Sequence, residues 1–208
     1  MPYREDAFVP GCIYHIYNRG VNRMSIFANP GNYVYLLRKV KSLLAELPVT
    51  MLAYCLMPNH YHFVLRQDEA TTFPKAASFR EGKDGGLSTF MQRLFITYTQ
   101  AFNKQQERTG PLFQGRFRHI RVDRDEYVMH LCRYVHLNPV VAGLVSRPAA
   151  WPYSNYLEWI EAREGKLVDR AFVQEFFPTP ESYIAFVQGH IAPEKAKELQ
   201  PYLLDDDD

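Results

Sequence analysis

Three groups of residues have types and spacings that can do chemistry. The first is His60-Tyr61-His62. On a strand, residues i and i+2 face the same way with Cα atoms roughly 6.5–7 Å apart. Two imidazoles so placed can converge on one metal ion, for which histidine is the commonest side-chain ligand. The spacing alone does not separate a metal pair from two ordinary histidines. The second group is Tyr134 and Asn138, four residues apart and so on one face of a helix. An amide oxygen is a hard ligand of the kind Mg²⁺ and Mn²⁺ accept, and a phenol beside such an ion can serve as a nucleophile. The plainer alternatives are a packing aromatic and a helix stop ahead of Pro139. His130, one turn before Tyr134, either orients the phenol or stands exposed. The third group is Arg116, Arg118, Arg121, Arg124 and Arg133, all within eighteen residues, with Phe113 and Phe117 interleaved. Arginines beside a nucleophile suit a phosphate-rich substrate, and the phenylalanines can stack on unpaired bases. A solvated charged edge is the alternative.

The chain has 14 tyrosines, so the choice of one needs grounds. Tyr98 is in register with Leu94, Phe95 and Phe102, which makes it core. Tyr14 and Tyr17 lie on the first strand, where a four-residue spacing does not make a shared helical face. Tyr127 has apolar Leu131 four residues on. Tyr134 alone has a metal-capable oxygen at that distance and a basic run upstream.

Periodicity supplies the elements that must position these groups. Residues 12–19 are rich in β-formers between Pro10-Gly11 and Gly20 and read as a strand. Residues 30–47 carry Tyr33, Leu36, Leu37, Val40, Leu43, Leu44 and Leu47 at three- and four-residue steps, a helix that Pro48 stops. Residues 49–57 and 60–66 read as a hairpin turning at Met57-Pro58-Asn59. Residues 69–86 are a Thr-, Pro- and Gly-rich loop. A long helix over 87–108 follows, ended by Gly110-Pro111. Next come a strand over 116–122 with a basic edge, and a helix over 124–137 with Asp123 or Asp125 as cap and Asn138-Pro139 as its end. The order β-α-β-β-α-β is the ferredoxin-like, split βαβ arrangement of an α+β domain. It predicts a four-stranded antiparallel sheet with the two long helices on one face and the other face left free for a site.

Composition sets the outer bounds. The chain has 208 residues, 47% hydrophobic and 23% charged, which excludes a disordered chain. It has no apolar run long enough to span a membrane and no apolar leader segment at its N-terminus. Cys12, Cys55 and Cys132 are odd in number and far apart. That fits buried thiols in a cytoplasmic protein better than a disulfide framework or zinc cluster. The net charge of +1 conceals a division. Residues 1–145 hold 18 Lys+Arg against 11 Asp+Glu, or +7, and residues 146–208 hold 6 against 12, or −6. The first segment is basic enough to attract phosphate. The second ends in the acidic run Asp205 to Asp208, a tail that either folds over the path of a phosphate-rich partner and competes with it or serves as a solubility device.

Several blocks together resemble one family. Met57-Pro58-Asn59-His60-Tyr61-His62-Phe63-Val64-Leu65 is similar to the HUH motif region of the IS200-like single-tyrosine transposases. Gly110-Pro111-Leu112-Phe113-Gln114-Gly115-Arg116-Phe117, Tyr134-Val135-His136-Leu137-Asn138-Pro139-Val140 and Trp151-Pro152-Tyr153-Ser154 resemble its branch of REP-associated tyrosine transposases. The opening strand with Asn18-Arg19-Gly20 fits too, and the resemblance spans roughly residues 8–156. It implies the same split βαβ fold. It also implies a Mg²⁺ or Mn²⁺ site made by His60, His62 and Asn138, and Tyr134 as nucleophile toward single-stranded DNA through a 5′-phosphotyrosine. A hairpin of repetitive extragenic palindromic (REP) DNA is the implied substrate and a monomer the implied state. Tyr61 points away from the metal pair and is expected to pack. Arg19, Arg116, Phe117, Arg118 and Arg121 are the candidates for DNA contact. A non-catalytic DNA-binding or regulatory protein on this fold, and a metal-dependent hydrolase of small phosphoesters, are the competing readings.

Overall fold

The computed structural model describes residues 7–69, 86–189 and 200. Strand β1 spans Ile13–Arg19, helix α1 Pro30–Leu44, β2 Val49–Leu56, β3 His60–Gln67, α2 Gly86–Gln105, β4 Arg118–Val122 and α3 Asp125–Val141. Three short helices follow: α4 at Tyr156–Trp159, α5 at Arg170–Phe176 and α6 at Pro180–Gln188. The four strands form one antiparallel sheet in the order β2-β3-β1-β4. This is the split βαβ order expected from periodicity. The loop over 69–86 falls almost wholly outside the described residues, as does the acidic run at 205–208.

Strand alternation sends side chains to two cores. Tyr14, Ile16, Tyr61, Phe63 and Leu65 face α1 and α2, where Leu36, Val40, Leu94 and Tyr98 meet them. Tyr61 therefore packs, as its register implied. On the other face Ala53, Cys55, Val64 and Val122 meet Val128, Leu131, Cys132 and Val135 of α3. That face is not left open: α3 lies across it, and Trp159, Phe172, Tyr183 and Val187 of the three short helices close over α3. Helix α3 is thus buried nearly all round, as a helix between two layers must be. The segment at 180–188 is part of this second core, with Tyr183 fully buried.

Helix α3 departs from expectation at both ends. Arg124 occupies the cap position without a side-chain cap bond, while Asp125 and Glu126 sit in the first turn, where carboxylates complement the helix dipole. The helix does not stop at Asn138 but runs through Pro139 to Val141. Proline disfavours helical backbone at the residue before it. Two side-chain bonds from Asn138, described below, hold that residue in helical register. Cys55 and Cys132 are buried as expected, whereas Cys12 is only half-buried.

The free edge of β2 is sealed by the chain returning after α3. Leu56 N donates to Tyr153 O at 2.9 Å, and Asn155 N to Tyr54 O at 3.3 Å. Covering an edge strand removes a template for unwanted pairing. At the sheet's opposite end Gly20 lets β1 turn sharply, and its N–H donates to Asn59 O at 2.8 Å. A Cβ on Gly20 would lie 2.1 Å from the Met24 carbonyl oxygen. Gly20→Ala is expected to cost about 2 kcal/mol by forcing this turn apart. A urea melt checks it, and an unchanged midpoint would refute the close approach.

Candidate active site

The β2–β3 turn carries His60 into place. Met57 N donates to His60 O at 2.9 Å, and Ile26 N to Pro58 O at 2.8 Å, pinning the turn to the chain beyond β1. From there His60 and His62 project onto the face that α3 covers. Asn138 reaches down from α3 between them: His60 Nε2 lies 3.1 Å from Asn138 Oδ1, and Asn138 Nδ2 donates to His62 Nε2 at 3.3 Å. Tyr134, one turn earlier on α3, is half-buried, with its ring edge-on to His62 at 5.5 Å between centroids. Four residues singled out on spacing, from two distant segments, therefore meet at one place.

The electrostatics of the pair are unequal. His62 is fully buried. Burial, with His60 and His15 beside it, pushes its imidazole well below the ordinary histidine value, so it is neutral near pH 7. His60 has its Nδ1 2.8 Å from Asn59 Oδ1 and its Nε2 facing Asn138 Oδ1. Both ring nitrogens thus face oxygen acceptors. Such a ring is satisfied only when both nitrogens carry protons or when a cation takes the place of one proton. This donor set fits a divalent ion held by His60, His62 and the Asn138 amide oxygen. Among the described residues no group of three His, Cys, Asp or Glu is placed to hold a metal, which leaves the amide as the third donor.

The remaining candidates divide by position. Arg118 pairs with Tyr17, in register with His62 across β1, and so belongs to the face of the two histidines. Arg19, the cross-strand partner of His60, shares that face, and its Nε donates to Gln114 Oε1 at 2.9 Å. Arg121 pairs with Tyr14 on the opposite face and forms an ion pair with Asp123 at 2.6 Å. Arg116 and Phe117 precede β4 and line a groove of about 640 Å³ with Asn18, Phe95 and Phe113 on the α2 side. Arg133 leaves the basic run: it is buried, donates to Gly189 O and lies over the Phe186 ring at 5.5 Å. The His130 ring lies against Phe186 as well, at 5.1 Å.

Two residues escaped the sequence reading. His15 on β1 is fully buried, with Nε2 3.0 Å from His62 Nδ1. Its place on the His62 face follows from strand alternation once the β1–β3 register is known. His136 on α3 is buried and neutral, its value pushed down to about 4 by burial. Its Nδ1 lies 2.6 Å from Tyr183 Oη and its Nε2 2.9 Å from Asn155 Oδ1, which locks α3 to the segment that follows it.

No protein-family model matches the chain. Over 167 residues it is 26% identical to a Haemophilus influenzae protein named "Putative REP-associated tyrosine transposase", covering 77% of this chain and 88% of that protein. A solved structure described as a REP-associated tyrosine transposase bound to a REP hairpin superposes with a TM-score of 0.57 at 19% identity. The match covers 81% of this chain and 94% of that one, and at this identity it is a likeness of fold. Together the two bear out the resemblance carried by the sequence motifs.

Proposed function

We propose that this chain is a REP-associated tyrosine transposase, an HUH enzyme that cleaves and rejoins single-stranded DNA at a REP-type hairpin through a covalent 5′-phosphotyrosine. The observation that carries the reading is Asn138, which ties both imidazoles together from the helix that brings Tyr134 beside them. His60, His62 and Asn138 would hold Mg²⁺ or Mn²⁺. Such an ion, when bound, supplies charge stabilisation at the scissile phosphate.

The chain's own residues do the rest. Arg19 and Arg118, on the face of the two histidines, hold the DNA backbone by its phosphates. Tyr134 attacks phosphorus: its oxygen bonds to phosphorus as the P–O3′ bond breaks. The phenol gives up its proton and the departing 3′ oxygen takes one up, leaving a 5′-phosphotyrosine and a free 3′-OH. Because the phosphoryl bond is kept, attack by a 3′-OH reverses the step and joins strands without a nucleotide cofactor. The reading makes the protein a cytoplasmic monomer. No helix among the described residues is long and apolar enough to cross a membrane.

The test mixes the full chain with labelled single-stranded hairpin DNA and Mn²⁺ and looks for an adduct that survives denaturation. An adduct that forms with Mn²⁺ and is lost in chelator is expected. His60→Ala should slow its formation at least about a hundredfold, the scale of losing several kcal/mol of charge stabilisation. DNA binding without any adduct would make the protein a non-catalytic binder and refute the reading. Adduct formation unchanged in chelator would refute the metal site.

A further inference from the structure

The two imidazoles of the candidate site both present Nε2 to Asn138, and the outer nitrogen of each meets a different residue. For His60 that residue is Asn59, its neighbour in the β2–β3 turn. For His62 it is His15, from another strand and 47 positions away in sequence. We propose that His15 is a positioning residue for His62: its Nε2 accepts the Nδ1–H of His62 and so keeps the His62 Nε2 lone pair turned toward Asn138 and the metal. This inference rests on the reading that His60, His62 and Asn138 form a metal site.

The direction of the bond follows from the partners. Asn138 Nδ2 is a donor and faces His62 Nε2 at 3.3 Å, so that nitrogen offers a lone pair. A neutral imidazole carries one N–H, which is then on Nδ1. The atom facing it, at 3.0 Å, is His15 Nε2, which accepts and leaves the His15 proton on Nδ1. Reversing this bond would place a hydrogen on His62 Nε2, and a protonated nitrogen cannot ligate.

The fold makes the contact obligatory. His15 pairs across the sheet with Val64, and Tyr17 with His62, so His15 stands diagonally opposite His62 on one face. The two rings stack at 5.2 Å and 19°. Tyr17 packs on His15 at 4.8 Å and the Tyr134 ring meets it edge-on at 6.4 Å. Both histidines are fully buried, so bulk solvent does not reach the bond and loss of the acceptor carries the cost of an unpaired buried donor. Ligating imidazoles depend on such held outer nitrogens, and losing the partner lowers metal affinity roughly 10–100-fold.

The test reads metal affinity and tautomer rather than turnover. Mn²⁺ binding to the full-length protein is measured by titration calorimetry or by the electron-paramagnetic signal of free Mn²⁺. The His62 tautomer is read in metal-free protein from imidazole ¹⁵N shifts. His15→Phe keeps a ring and removes the acceptor, and is expected to weaken Mn²⁺ binding about 10–100-fold and to mix the His62 tautomers. His15→Gln, whose amide oxygen reaches the position of Nε2, is expected to restore most of the affinity. Should His15→Phe fail to fold, His15→Leu carries the same expectation. A variant lacking the acceptor that binds Mn²⁺ within about twofold of wild type, with His62 still protonated on Nδ1, would overturn the positioning role and leave the metal site standing. Wild-type protein that binds no Mn²⁺ would overturn both.

Discussion

Tyr134→Phe protein is expected to form no denaturation-resistant adduct with hairpin DNA in Mn²⁺, a loss of roughly 10³-fold or more, as when a covalent nucleophile is removed, and still to bind the DNA. The substitution keeps the ring that lies edge-on to His62 and His15 and removes one oxygen from a half-buried side chain. Folding is therefore preserved, and the phosphate contacts proposed for Arg19 and Arg118 are left untouched. Among the described residues the rival phenol beside these rings is Tyr17, buried, with its ring 6.2 Å from His62 and 4.8 Å from His15. Adducts that persist in Tyr134→Phe and vanish in Tyr17→Phe would move the nucleophile to β1 and refute the assignment. A gel of labelled DNA run after protein denaturation reads both variants directly.

Asn155→Ala should destabilise the fold by about 4 kcal/mol, at the upper end for a single substitution. Strand β2 slips register between Met51 and Ala53, and a slip leaves carbonyls out of the ladder. The Leu52 carbonyl accepts instead from Asn155 Nδ2 at 2.9 Å and Trp159 Nε1 at 3.0 Å. The same amide donates to Leu167 O at 3.0 Å, and its oxygen accepts from Tyr54 N at 2.8 Å and His136 Nε2 at 2.9 Å. Truncation strands several buried groups at once, each worth about 1–3 kcal/mol when left unpaired. It also removes one of the two side-chain bonds that His136 makes, leaving the helix that carries Tyr134 tied at this point by Tyr183. Thermal or urea unfolding measures the loss, and adduct formation should fall in parallel well below the new melting temperature. A change under about 1 kcal/mol would mean that the network is not a clamp.

The sheet was readable because each strand and helix announces its period locally, as at His60–Leu65 and Tyr33–Leu43. Tyr134 and Asn138 were readable for the same reason: four residues on a helix is a local relation. The covered second face was missed, although a signal for it existed. Strand β2, Val-Thr-Met-Leu-Ala-Tyr-Cys-Leu, is almost continuously apolar and buried on both sides, and continuous apolar runs mark strands with two covered faces. His15 was missed because its role depends on register with a strand 47 residues away. The end of α3 was misplaced because Pro139 is a local stop that tertiary bonds from Asn138 override. Arg133 shows the limit of charge counting: a basic run in sequence need not be a basic patch in space.

The unbroken course of α3 through Pro139 has a consequence for how strands are exchanged. Tyr134 and Asn138 ride one rod, held from above by His136 and from below by the two imidazoles. On the proposed reading, a swing of α3 that carried a tethered DNA end away would also pull Asn138 off the two imidazoles of β3 and take the site apart. That reading therefore keeps α3 in place during rejoining and makes the incoming 3′ end the part that moves.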